Sequence, residues 1–208
     1  MADDAPMFYD PTAELERRHG AYLPHWKQAG RTYFVTFRLA DSLPASALDE
    51  LRAEREAAQA SATGDPTRLR RQQRERVEAY LDAGVGDCLL ARPACAELVA
   101  NSLRHFDGQR YRLWAWCVMP NHVHAVVTHA DGHALAGILH SWKSFTAHRI
   151  NKLCGREGTV WQAEAFDHLV RHGAAFERYC AYIVSNPESA GLVHWPWHGS
   201  YVARPSRP

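Results

Sequence analysis

The sequence predicts an α+β domain: one antiparallel sheet with helices mainly on one face, in βαββαβ-like order, and a helical insertion in the first crossover. Three observations predict it. The run RTYFVTFRLAD at residues 31–41 is dense in aromatic and β-branched residues, as strands are. Two further strand-like runs, YRLWAWCVM and HVHAVVTH, are separated only by Pro120-Asn121, so they form an antiparallel pair. Segments of helical period alternate with these strands, which argues for a sheet layered with helices.

Taken in order, residues 1–30 look irregular, and 1–21 stand outside the domain. Asp41-Ser42 ends the first strand. ASALDELRAEREAAQA carries Leu48 and Leu51 on one side and charges elsewhere, the mark of a surface helix. Thr63-Gly64-Asp65-Pro66 breaks it, and TRLRRQQRERVEAYLDAG forms a second helix stopped by Gly84 and Gly86. These two helices, about residues 45–83, are the insertion. RPACAELVANSLRHFDG is a third helix with Pro93 in its first turn. A long helix follows the strand pair, from about His133 to Leu153, with Leu135, Ile138, Leu139, Trp142, Phe145 and Ile150 at helical spacing and Gly155 at its end. TVWQAEAFDHLVR supplies a loop and a fourth strand. AAFERYCAYIVS is the last helix, stopping before Asn186-Pro187. The domain spans 22–203, and 204–208 are a tail.

Composition narrows the function. The chain has 208 residues, 46% of them apolar, enough for one domain with a real core. A formal net charge of +1 gives no global basic field to draw in duplex DNA or a membrane surface. Five cysteines without a C-x-x-C pair argue against a disulfide scaffold or a four-cysteine zinc site. The acidic, polar start is no secretory signal, and no apolar stretch reaches a membrane span, so a soluble, cytoplasmic protein is expected.

The chemistry concentrates in MPNHVHAVV, residues 119–127. In a strand, His122 and His124 point to one face and Val123 to the other. Two adjacent imidazoles either bind something or need hydrogen-bond partners. A divalent metal held by both is the functional reading, and it needs a third ligand. The last helix offers one. Tyr182 and Asn186 are four residues apart and share a helical face, so Asn186 can lend a carbonyl oxygen and Tyr182 a phenol. Two nitrogens and an amide oxygen suit Mg²⁺ or Mn²⁺. A zinc site from Cys117, His122 and His124 is the alternative.

MPNHVHAVV, HSWKSFTAHRINKLCGREGTVWQ, FDHLVR, YIVSNPESAGLV and YFVTFRLADSLP together resemble the HUH single-tyrosine transposases, and among them the REP-associated tyrosine transposases. The similarity runs in order from about residue 22 to 203. It implies a ferredoxin-like or RRM-like domain that cuts and rejoins single-stranded DNA beside a hairpin, as a monomer or homodimer, associated with the nucleoid when acting. The family's His-hydrophobic-His motif falls on His122 and His124, its nucleophile on Tyr182, and its helix-borne metal ligand on Asn186. DNA contacts are expected from Lys143, Arg149, Trp161, Gln162, His168 and Arg171; for Trp161, stacking on a base and anchoring its loop are both open. The run Arg68 to Arg76 reads either as a grip on a hairpin stem or as a solvated helix face. Ala163, Glu164, Glu188 and Ser189 stand where related chains carry basic residues, which keeps a non-cleaving, structure-specific DNA binder as the second reading.

Overall fold

A computed structural model describes residues 5–19, 24–60 and 66–201. The breaker Thr63 to Asp65 and the tail 204–208 lie outside them.

Among the described residues, seven strands and five α-helices follow in order: β1 (Glu16–His19), β2 (Pro24–Lys27), β3 (Thr32–Arg38), α1 (Ala45–Ala60), α2 (Pro66–Asp82), α3 (Pro93–Arg104), β4 (Tyr111–Val118), β5 (His122–His129), α4 (Leu135–Cys154), β6 (Phe166–Leu169), α5 (Gly173–Ser189) and β7 (His198–Ser200). The main sheet has the order β6-β3-β5-β4-β7, with every neighbouring pair antiparallel. Without β7 this is the predicted βαββαβ sheet, with α3 and α4 as its crossover helices and α1–α2 as the insertion. β5 is central and both its faces are covered, so its burial is nearly continuous rather than alternating.

The two faces carry different cores. On one, Val35, Phe37, Val123, Ala125 and Val127 meet Ala96, Val99 and Leu103 of α3 and Ile138, Trp142 and Ile150 of α4. Two of its polar groups form a relay: Trp142 Nε1 donates to Tyr111 Oη, which donates to Leu103 O. On the other face, Phe34, Trp114, Cys117, Met119 and Val126 meet Phe176, Cys180 and Ile183 of α5. The helices thus divide two to one across the sheet, and the His-x-His face belongs to α5.

Three features differ from the sequence expectation. Residues 16–27, expected to be irregular, hold the antiparallel pair β1–β2. β7 was not expected; it adds to the edge of β4, where Cys117 pairs with His198. Helix α5 does not stop before Asn186-Pro187 but runs to Ser189. Proline removes only its own amide from the last turn, and the ladder resumes after it, Ala190 N donating to Asn186 O. Asn186 therefore sits inside the helix, one turn beyond Tyr182.

Candidate active site

Strand register brings the first residues together. Arg38 pairs with His122, and Thr36 with His124, across β3 and β5. β6 continues the row, Phe166 beside Thr36 and His168 beside Phe34. All seven side chains share the face that α5 covers. His122 and His124 are each 1% exposed.

The two imidazoles converge, Nε2 to Nε2 at 3.0 Å. Their outer nitrogens are both held: His122 Nδ1 lies 2.7 Å from Asn121 Oδ1, and His124 Nδ1 lies 2.8 Å from Thr36 Oγ1. Asn121 is fully buried, and its amide Nδ2 donates to Val85 O, so its Oδ1 is the acceptor. His122 therefore carries its proton on Nδ1 and turns a bare Nε2 lone pair into the site. Thr36 can accept from His124 Nδ1 in the same way, leaving a second bare Nε2. Partners of this kind on the outer nitrogen are what orient metal-binding imidazoles. Burial pushes both imidazoles down in pKa, with His124 adding to the effect on His122 and His124 itself reaching about 3. Both are neutral at physiological pH, the form that ligates a metal.

α5 supplies the rest. The Tyr182 ring lies 5.3 Å from that of His124, and Phe34 packs between them and Tyr179, stacked on Tyr179 at 4.6 Å. Asn186 is buried, its side chain counters the burial that raises the Tyr182 pKa, and its Oδ1 has no hydrogen-bond partner. An orphaned buried carbonyl oxygen on the helix that covers two converging imidazole nitrogens fits a divalent cation in donor chemistry. The thiol alternative has less support: Cys117 pairs with His124 in register, but it packs in the apolar cluster under α5 and is not grouped with the two histidines. Among the described residues, no three of His, Cys, Asp and Glu are grouped to hold a metal.

Residues 93–186 match the family model of the IS200-like transposases. That stretch takes in both histidines, Tyr182 and Asn186. Two solved structures also resemble the chain. One is of a REP-associated tyrosine transposase bound to a REP hairpin, 16% identical, with a TM-score of 0.49 over 88% of this chain and 81% of that one. The other is of a putative transposase from Deinococcus radiodurans R1, 14% identical, with a TM-score of 0.41 over 84% of this chain and 98% of that one. No curated protein matches significantly.

The other residues expected to serve the site fall in two groups. His168 and Arg171 lie at the α5 face. Burial lowers the His168 pKa, and Arg171, Arg74 and Arg178 act on it in the same direction. Arg74 thus brings the insertion helix α2 up to the site. Lys143 and Arg149 lie on α4, across the sheet from the histidines. Lys143 is half-buried and its Nζ donates to Gln162 O and Ala163 O at 2.6 Å each, tying the loop before β6 to α4. Arg149 stays on the outer surface of α4 beside Phe145. Trp161 is 4% exposed and donates to Thr146 Oγ1 at 2.9 Å, with its ring edge-on to Phe37. A ring held that way anchors the loop and offers no face to a base. Gln162 is tied by its backbone to Arg38 O. Asn121, Thr36 and Arg38 were missed from sequence. Asn121 was printed inside the motif itself; the other two needed the β3–β5 register.

Proposed function

We propose that the chain is a metal-dependent single-stranded DNA endonuclease and strand transferase that acts beside a hairpin through Tyr182. The observation that carries this reading is the meeting of α5 with the His-x-His strand, which sets a phenol and an orphaned amide oxygen against two converging imidazole nitrogens. His122 Nε2, His124 Nε2 and Asn186 Oδ1 would hold Mg²⁺ or Mn²⁺. When bound, such a cation offsets charge on the phosphate oxygens.

Tyr182 is the nucleophile. Burial raises its pKa, and the carboxylates of Glu78 and Asp82 on α2 raise it further, so the phenol is protonated at neutral pH and loses its proton as it attacks. The Asn186 side chain opposes that shift and aims the oxygen. A bond forms from Tyr182 Oη to phosphorus as the phenol proton passes to water, the bond to the 3′ oxygen breaks, that oxygen takes up a proton from water and departs as a 3′ hydroxyl, and the 5′ side stays on the protein as a phosphotyrosine. Attack by another 3′ hydroxyl reverses the step and joins a new end, with no nucleotide consumed. Tyr182 reaches the histidines of its own chain, so one copy holds a complete site, which favours a monomer over a homodimer.

The test uses 5′- and 3′-labelled oligonucleotides from palindromes flanking the gene, with wild type, Tyr182→Phe and His124→Ala, in Mg²⁺, Mn²⁺ or EDTA. The expected product is a covalent adduct on the 5′ side of the cut, absent in Tyr182→Phe and in EDTA. Cutting that survives Tyr182→Phe means a water nucleophile. Tight hairpin binding without cutting in either metal establishes the non-cleaving binder.

A further inference from the structure

Arg38 is the last residue of β3 and the cross-strand partner of His122, on the same face of the sheet. Paired residues in an antiparallel ladder stand about 4.5–5.5 Å apart at their Cα atoms, so its side chain begins beside the His122 ring. The guanidinium is half-buried. Among the described residues its side-chain hydrogen-bond partner is neutral: one terminal nitrogen donates to Ser42 Oγ at 3.1 Å. Ser42 is fully buried and gives its own hydrogen to Leu39 O at 2.8 Å, so its lone pair is free to accept from Arg38. No ion pair joins Arg38 to a carboxylate among the described residues. Burial alone lowers its pKa, to about 10, and it remains a cation at neutral pH.

A half-buried cation without a counter-charge is costly, and proteins keep such groups where a charge arrives from outside. A fold that needed only the bond to Ser42 would be served by a neutral donor. The guanidinium has five N–H donors in a rigid fork, and Ser42 engages one arm. The fork suits the two non-bridging oxygens of a phosphodiester.

We propose that Arg38 binds a phosphate of the DNA strand at the histidine pair, and so positions the strand for Tyr182. The inference rests on the DNA-processing reading above and adds a phosphate-contacting residue that lies outside the residues 93–186 of the family match.

The experiment is a methylphosphonate scan. Hairpin oligonucleotides with single-stranded flanks, from palindromes beside the gene, have one flank phosphate at a time replaced by the uncharged analogue. Binding is measured for wild type, Arg38→Gln and Arg38→Lys, with thermal unfolding run on each. Wild type is expected to lose about 10-fold or more at one linkage near the histidines, the scale of a charge-assisted hydrogen bond. Arg38→Gln is expected to bind the unmodified DNA about 10-fold more weakly and to be insensitive at that one linkage. Arg38→Lys keeps the charge but not the fork, and is expected to keep part of the sensitivity. If Arg38→Gln unfolds, the Arg38→Lys profile decides. A variant profile that repeats every wild-type loss overturns the assignment. Because the scan reads binding, a protein that binds with the expected pattern but never cuts sinks the strand-transfer reading and leaves Arg38 in place. Cutting with unchanged profiles does the reverse, and a wild type that binds none of these DNAs overturns both.

Discussion

At the scale of single residues, the site depends on what holds the imidazoles. Asn121 is committed at both ends, to His122 and to Val85 O, so it fixes both the ring orientation and the tautomer. Asn121→Ala should weaken Mn²⁺ affinity and metal-dependent cutting together by about 10–100-fold, read by metal titration and gel assay. An equal loss of cutting with unchanged metal affinity would move Asn121 out of that role. His168 allows a test by pH. Burial, then Arg171 and Arg74, hold its folded pKa below the ordinary 6.5. The unfolded chain therefore binds more protons once pH falls below about 6.5, so this residue's contribution is complete above 6.5 and is lost as pH drops through the folded value. Wild type should lose stability on acidification more steeply than His168→Gln below pH 6.5, with parallel curves above it, measured by urea unfolding. Parallel curves throughout would place His168 in a more solvated setting.

At the scale of elements, the loop between α4 and β6 shows how a residue expected to meet nucleic acid is built into the architecture. Trp161 hangs on Thr146, whose hydroxyl in turn donates to Trp142 O, and Lys143 closes the same loop through two carbonyls. Trp161→Phe removes a buried N–H and leaves Thr146 short of a donor, which should lower stability by about 1–3 kcal/mol while hairpin affinity stays within about twofold. A large loss of affinity in a stable Trp161→Phe protein would restore the stacking role. The insertion is tied in as firmly. Its exit loop takes the Asn121 amide at Val85 and binds Pro120 O through Leu90 N. Gly86 there has a φ of +95°, and a Cβ would stand 2.7 Å from Asp41 O, so only glycine lets the loop close on the motif. The loop that leaves the helices at 45–83 thus buttresses the turn that presents both histidines.

At the scale of the molecule, the sheet separates two charged surfaces. Arg171, Arg178 and Arg74 gather around His168 and Tyr179 at the α5 face, whereas Arg149 lies on α4 across the sheet. A near-neutral chain can still present a local basic path to a single strand. Arg171→Ala should flatten the salt dependence of hairpin binding by about 0.7 in log–log slope, and Arg149→Ala should leave it unchanged. The opposite pattern would put the DNA on the α4 face. Among the described residues, no helix is long and apolar enough to cross a membrane.

The sequence by itself determined which side chains share a face. A period of two placed His122 and His124 together, and a spacing of four placed Tyr182 with Asn186, because side-chain direction follows from backbone geometry within one element. It also determined the strand pair at residues 111–129 and the end of α4 at Gly155, which takes the left-handed conformation there. Only the tertiary structure decided that α5 lies on the histidine face and carries on through Pro187, that β7 completes the sheet edge, and that Thr36 and Arg38 stand beside the two imidazoles. The strand pairings join segments far apart in sequence, Thr36 and His124 being 88 residues apart. Trp161 and Lys143 also needed the tertiary structure. Their residue types suit stacking and phosphate binding, and burial against α4, which no local pattern encodes, made them structural instead.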